Sequence, residues 1–234
     1  MATDFSDESK ANVYSEGIPS KEFSLNPIIF EKIGDVEGKN ILDLGCGDGE
    51  YSKIFAEKGA KVIGIDHSEK QIEIANNVNK HEDIRYLKLN GELLDEIEGE
   101  FDIIFMNLVV PSLDNTEKLK NIVKECRKLM GSNSIFLFTI LHPLYLSPEQ
   151  DETDRAVDFD KKKYFEKDYC YNSRALTNKG NEMKFYETHF SLNTLSEILE
   201  ENKFLIKSLT ESKAVPDKGI YLPKYLLFEC VKDK

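Results

Sequence analysis

From residue 40 onward the chain alternates short apolar runs with amphipathic stretches, and this rhythm restricts the fold more than any other feature. Residues 40–44, 61–65, 84–89, 101–106 and 134–141 have the length and the β-branched and aromatic content of buried strands. Between them the apolar spacing changes to threes and fours. Tyr51, Ile54 and Phe55 give the inner face of one helix. Ser68 opens the next as N-cap, with Gln71 as its capping-box partner and Ile72 and Ala75 facing inward. Leu119, Ile122, Val123, Cys126, Leu129 and Met130 mark a long third helix that Gly131 is expected to end. Strands separated by helices imply an α/β chain with a doubly wound, Rossmann-like sheet and right-handed crossovers. Two later apolar runs, 204–209 and 225–231, would bring it to about seven strands, mostly parallel with a closing antiparallel strand.

Two stretches fall outside that rhythm. Residues 1–36 read as a polar tail followed by a capping helix over 26–34, leaving 37–234 as the core. Within the core, about 142–188 lacks a clear period yet holds Tyr145, Tyr164, Tyr169, Tyr171 and Tyr186, half of the 10 tyrosines. A long aperiodic stretch with that aromatic content is expected to be a substrate lid.

Composition narrows the possible partners. A net charge of -12 opposes wide contact with a phosphate backbone, so no nucleic acid is expected. The one basic run, Lys161–Lys163, sits among Asp158, Asp160, Glu166 and Asp168. Cys46, Cys126, Cys170 and Cys230 are scattered, with neither a disulfide framework nor a metal-ligand spacing, so no metal is expected. The acidic start is not a secretory signal, and no apolar run reaches the ~18 residues of a membrane span. A cytoplasmic monomer or homodimer without membrane attachment is the expectation.

In such sheets ligands lie beyond the carboxyl ends of the strands, here 44–49, Asp66, Asn90, Asn107 and His142. The first of these is the glycine loop Gly45-Cys46-Gly47-Asp48-Gly49. Its glycines permit positive φ and close backbone approach. A dinucleotide fingerprint would place a third glycine where Glu50 stands, and no Gly-Lys-Ser/Thr follows for a phosphate loop. Asp43, inside the strand end, suits a ligand ammonium. Asp66, ending the second strand 21 residues after Gly45, can accept both hydroxyls of a ribose. An ammonium, a carboxylate and a free ribose without phosphates describe S-adenosylmethionine.

The stretch 38–49 closely resembles the first motif of the class I S-adenosylmethionine-dependent methyltransferases of small-molecule type, and the likeness runs through nearly the whole chain. Val62-Ile63-Gly64-Ile65-Asp66-His67-Ser68 resembles the second motif. The resemblance implies that Asp66 grips the ribose and that His67, where the family often has an aliphatic residue, lies on the adenine. Asn90, Gly91 and Glu92 fall where the family often places an Asp near the adenine amino group. Asn107 and Leu108 end the fourth-strand motif, which faces the methyl group and lacks the Asn-Pro-Pro-Tyr sequence of nucleic-acid amine methylases. Tyr14 matches an N-terminal tyrosine that closes over the cofactor in look-alikes. Gly45, Cys46 and Gly47 then complete the cofactor-binding set.

For the acceptor, two of the 4 histidines stand out. His142, in Ile140-Leu141-His142-Pro143, resembles a His-Pro turn of relatives. His189 matches the His of a His-Arg-Pro-Leu-Ser-like segment, with Phe190 in place of the Arg. Either is expected to act as base or to orient the acceptor, with Asn107, Tyr145, Tyr164 and Tyr169 beside it. The implied activity is methyl transfer to an oxygen, nitrogen or carbon of a small molecule in natural-product or secondary metabolism, releasing S-adenosylhomocysteine. A tRNA or rRNA methyltransferase, a non-catalytic S-adenosylmethionine-binding scaffold and, more distantly, a nicotinamide dehydrogenase are the competing readings.

Overall fold

A computed structural model describes residues 8–90, 94, 96–146, 155–215 and 221–233. Parallel strands β1 (Asn40–Leu44), β2 (Lys61–Asp66), β3 (Ile84–Lys88), β4 (Phe101–Asn107) and β5 (Met130–Leu141) are joined at one edge by β9 (Phe204–Glu211) and β10 (Tyr225–Lys232). The order is β3-β2-β1-β4-β5-β10-β9, with β10 antiparallel to both neighbours. The expected doubly wound sheet with a closing antiparallel strand is thus observed. The order reverses between β1 and β4, which is where a crevice opens in sheets of this kind.

Successive residues of the central strands serve opposite faces. Ile41, Ile103, Phe105 and Leu137 pack with Ile29 of α2 (Asn26–Ile33) and Phe55 of α3 (Glu50–Glu57). Leu42, Ile104, Met106 and Phe136 pack with Ile122 of α5 (Thr116–Lys128) and Ile198 of α6 (Leu192–Glu201). Burial on both faces explains why these strands read as continuous apolar runs. α4 (Glu69–Val78) has the expected N-cap, Ser68 Oγ accepting the Gln71 N–H at 3.3 Å, but the capping box stays open because the Ser68 N–H donates to Asp66 and not to the Gln71 side chain.

Gly131 does not end α5. The helix stops at Lys128 with Leu129 as C-cap, and Met130 and Gly131 already belong to β5. Ser134 Oγ accepts the Gly131 N–H at 2.8 Å and donates to the Phe101 carbonyl, drawing the segment into the sheet.

The stretch expected to lack a period forms a second sheet, β6 (Arg155–Val157), β7 (Tyr169–Leu176) and β8 (Glu182–His189), antiparallel in that order. Asp168 ties it to the main sheet: its Oδ1 accepts the Thr116 N–H at 2.6 Å and so caps α5. The N-terminal segment ties it from the other side. Glu16, just after α1 (Glu8–Tyr14), accepts from Thr177 and Asn181 in the β7–β8 turn, and Ile18 packs with Ala175, Met183 and Phe185. Between α1 and α2 lies a π-helical turn, Lys21–Leu25.

Candidate functional site

The carboxyl ends of β1, β2 and β4 form one wall of a cleft. The opposite wall comes from the N-terminal segment and β8. Gly45, Gly47, Asp66, His67, Gln71, Asn107, Leu108 and Val109 line the first; Tyr14, Ile18, Lys21, Phe185 and Glu187 line the second, with Leu141 and Ser112 beside them.

The glycine loop is held by its backbone. The N–H groups of Gly45 and Cys46 both donate to the Ile65 carbonyl, at 2.8 and 2.9 Å. Gly45 has φ +74°, and a Cβ there would stand 2.3 Å from Val109 Cγ2. Glycine is therefore required by conformation and by space. Tyr14 lies over the loop, its Cε1 3.6 Å from where a Gly47 Cβ would be.

Asp66 is pinned by the backbone around it. Oδ2 accepts the Gly47 N–H at 3.0 Å and Oδ1 the Ser68 N–H at 2.8 Å. His67 Nδ1 is 3.3 Å from Oδ1 while most of its ring remains exposed. Gln71, one turn into α4, is only 2% exposed, and its Oε1 has no hydrogen-bond partner among the described residues. That oxygen lies 4.0 Å from the Gly47 Cβ position, on the cleft wall. An unsatisfied buried carbonyl costs ~1–3 kcal/mol.

At the end of β4 a short relay fixes an amide. Leu108, held at φ +54°, donates its N–H to Thr139 Oγ1 at 2.9 Å. The Thr139 hydroxyl thereby commits its proton to Asn107 Oδ1, at 2.6 Å. With that oxygen engaged, the amide of Asn107 is left to present N–H groups as donors. Non-glycine residues at positive φ carry ~1–3 kcal/mol of strain and collect at ligand sites.

Residues 42–138 match the family described as "Methyltransferase domain". Over those residues the chain carries a methyltransferase domain. The ubiquinone biosynthesis O-methyltransferase of Bordetella avium is 30% identical over 135 residues, covering 53% of this chain and 55% of the relative. The Dechloromonas aromatica protein of the same name is 30% identical over 133 residues, 52% of this chain and 56% of the relative. The chain therefore spans about half the length of the curated relatives it matches. Solved structures extend the likeness of fold to nearly the whole chain. An S-adenosylmethionine-dependent methyltransferase from Listeria monocytogenes superposes with TM-score 0.68 at 24% identity, covering 89% of this chain and 97% of its own. The CcbJ methyltransferase from Streptomyces caelestis gives 0.72 at 15%, covering 97% and 100%.

In this methyltransferase domain the residues singled out from sequence divide cleanly. Tyr14, Gly45, Gly47, Asp66, His67, Asn107 and Leu108 line the cleft. Gly91 and Glu92 lie outside the described residues. Asn90 is exposed and off the cleft wall, and Cys46 is buried behind the loop, where burial pushes its thiol pKa up. Asp43 also turns inward, away from the cleft, its Oδ2 accepting from Ser52 Oγ at 2.6 Å.

Burial raises the Asp43 pKa to about 7, with Asp66 and Asp48 adding to it and the Ser52 hydrogen bond opposing it. Because the folded value exceeds the unfolded one of ~3.9, stability is fully present below pH ~4, falls as pH rises, and levels off above about 7. Asp43→Asn is expected to flatten this decline in urea unfolding between pH 4 and 7. A decline of undiminished slope would mean that another group causes it.

Neither histidine reaches the cleft. His142 Nδ1 accepts the Leu144 N–H at 3.1 Å, so Nε2 carries the proton and donates to Glu211 at 3.0 Å. His189 is wedged among Phe159 and Tyr164, with Nε2 on the Tyr164 carbonyl at 3.0 Å. Burial lowers its pKa to about 4 despite that hydrogen bond. Both were expected beside the acceptor and both stand off this cleft's wall: a strand-end position does not decide which way a side chain turns. Tyr145 is buried in the core below the sheet. Tyr164 accepts from the Leu192 N–H, and Tyr169 from the Asp160 N–H, so both brace the second sheet rather than wall the cleft.

Lys21, Gln71, Phe185 and Glu187 line the cleft without having been singled out as site residues. Lys21 is buried, its Nζ donating to Tyr14 OH at 3.3 Å and lying 4.8 Å from that ring's centre. Burial alone would lower its pKa; Tyr14, Tyr51, Glu50 and Tyr225 outweigh that and hold it above the ordinary lysine value.

Proposed function

We propose that this chain binds S-adenosylmethionine in the cleft and transfers its methyl group to a small-molecule acceptor, releasing S-adenosylhomocysteine. The observation that carries this reading is the convergence of the Asp66 carboxylate and the unsatisfied Gln71 oxygen beside the glycine loop. Two acceptors set side by side suit the adjacent hydroxyls of a ribose. His67 then lies along the adenine, Gly45 and Gly47 allow the backbone to approach, and Tyr14 and Leu108 close over the sulfonium end. Lys21, on the Tyr14 side of the loop, supplies the cation for the methionine carboxylate.

An oxygen acceptor agrees with the names of the curated relatives, which are O-methyltransferases. A small acceptor also agrees with a net charge of -12, which disfavours nucleic acid. Among the described residues no helix is long and apolar enough to cross a membrane. Methyl transfer from a sulfonium starts with an excellent leaving group, so alignment and exclusion of water carry much of the rate.

Gln71→Met tests the reading with opposite signs in two measurements. Removing the unsatisfied oxygen is expected to raise the unfolding free energy of the unliganded chain by ~1 kcal/mol. The same change is expected to weaken S-adenosylhomocysteine binding several-fold in calorimetric titration. Unchanged affinity would show that the oxygen does not serve the ligand.

A further inference from the structure

Along β8 the side chains alternate, Met183, Phe185 and Glu187 pointing inward while Glu182, Lys184 and Tyr186 point out. The third inward position, which the pattern reserves for an apolar group, holds a carboxylate. Glu187 is 7% exposed, lines the cleft, and its Oε2 accepts from Ser173 Oγ of β7 at 2.6 Å. Burying a carboxylate is expensive even with a hydrogen bond. Ile18, Phe185 and the neighbouring Leu141 give this side of the cleft apolar surface beside Lys21 and Tyr14. β8 packs on the turn Val110–Ser112, directly after the β4 end that carries Asn107.

This inference rests on the cofactor reading above. We propose that the acceptor is a phenol or enol with an apolar body, and that its hydroxyl gives its proton to Glu187 while Asn107 donates to the same oxygen. The oriented amide of Asn107 selects oxygen over nitrogen. An oxygen has two lone pairs, so it accepts one N–H and attacks with the other pair, whereas an amine has only one pair to use. The carboxylate selects among hydroxyls. It can draw the proton from a phenol or enol as that oxygen attacks, but an aliphatic alcohol is far too weak an acid. In the step the acceptor O–H bond breaks and its proton goes to Glu187. The oxygen forms a bond to the methyl carbon, the methyl–sulfur bond breaks, and its electron pair stays on sulfur. The products are an aryl or enol methyl ether, S-adenosylhomocysteine and a protonated Glu187 that returns its proton to water. Of the titratable groups lining the cleft, Tyr14 and Lys21 share the wall with Glu187, and Asp66 and His67 lie on the opposite one.

The test is single-turnover methylation of catechol, 4-nitrophenol, benzyl alcohol and benzylamine by wild type and Glu187→Gln, with S-adenosylhomocysteine titrated into both. The wild type is expected to methylate catechol at least ~100-fold faster than benzyl alcohol or benzylamine. Glu187→Gln should bind S-adenosylhomocysteine as wild type does, yet lose ~10²–10⁴-fold in the catechol rate at neutral pH. Its remaining rate should climb with pH as catechol ionises, and 4-nitrophenol, already ionised near neutrality, should lose far less. A merely structural role would slow both phenols alike. Wild-type rates in the variant, preference for the amine, or no methylation of any phenol by a protein that binds S-adenosylhomocysteine would overturn the inference. Failure of the wild type to bind S-adenosylhomocysteine would instead overturn the cofactor reading.

Discussion

Replacing Asp66 by alanine is expected to weaken S-adenosylhomocysteine binding by ~10- to 1,000-fold, from the loss of charged hydrogen bonds worth ~1.5–3 kcal/mol each. The carboxylate sits where three things meet: the Gly47 N–H, the Ser68 N–H that leads into α4, and the cleft. Alanine removes the ligand's anchor and also one of the three hydrogen bonds that tie the glycine loop to the end of the second strand, leaving those of Gly45 and Cys46 to the Ile65 carbonyl. Asp66→Asn keeps one carbonyl oxygen and is expected to fall between wild type and alanine. Isothermal titration of S-adenosylhomocysteine into all three proteins gives the ranking. An alanine variant that binds as tightly as wild type would remove Asp66 from the cofactor site altogether.

The largest expected effect on folding lies directly beneath. Phe105 is fully buried on β4, two residues before Asn107, with its ring centre 5.3 Å from both Tyr51 and Phe55 in edge-on contacts. Truncating a buried phenylalanine costs ~3–5 kcal/mol, combining lost transfer energy with the cavity left behind. Phe105→Ala is therefore expected to lose a large share of a stability that totals only ~5–15 kcal/mol for typical domains. Urea unfolding should show the midpoint drop, and an effect below ~1 kcal/mol would mean that α2 and α3 collapse into the space. Set beside Gln71→Met, this pair separates residues that hold the sheet together from one that weakens the fold for the sake of a ligand.

The main sheet was legible in the sequence because its strands are buried on both faces and its helices on one. Ile41 to Leu44 and Ile103 to Met106 have no polar interruption but Asp43, so their runs stand out. The second sheet was not, although a turn signal, Asn178-Lys179-Gly180-Asn181, separates two alternating segments. The inward set there includes Ser173, Ala175 and Glu187, and the outward set includes Leu176 and Tyr186, so the contrast between faces is faint. Asp66 and the glycines could be found because chain position alone puts them at a strand end. Lys21 could not, since its burial comes from a π-helical turn in a polar segment. Gln71 was read as the capping-box partner of Ser68; its N–H makes the N-cap bond, but the Ser68 N–H goes to Asp66 and the Gln71 side-chain oxygen is left on the cleft wall. The histidines stand off the cleft wall for the converse reason. His142 directly follows β5 and His189 ends β8, but local partners turn both side chains elsewhere.

The hairpin of β7 and β8 separates two design problems that many pockets entangle. Of its inward side chains, Phe185 and Glu187 meet the cleft while Met183 packs with Ile18 and Ala175, and the glycine loop, Asp66 and Gln71 belong to other elements. Positions 185 and 187 can thus be varied without altering the glycine-loop wall. A combinatorial library confined to those two codons would sample new acceptors, making this hairpin the natural place for divergence or engineering to begin.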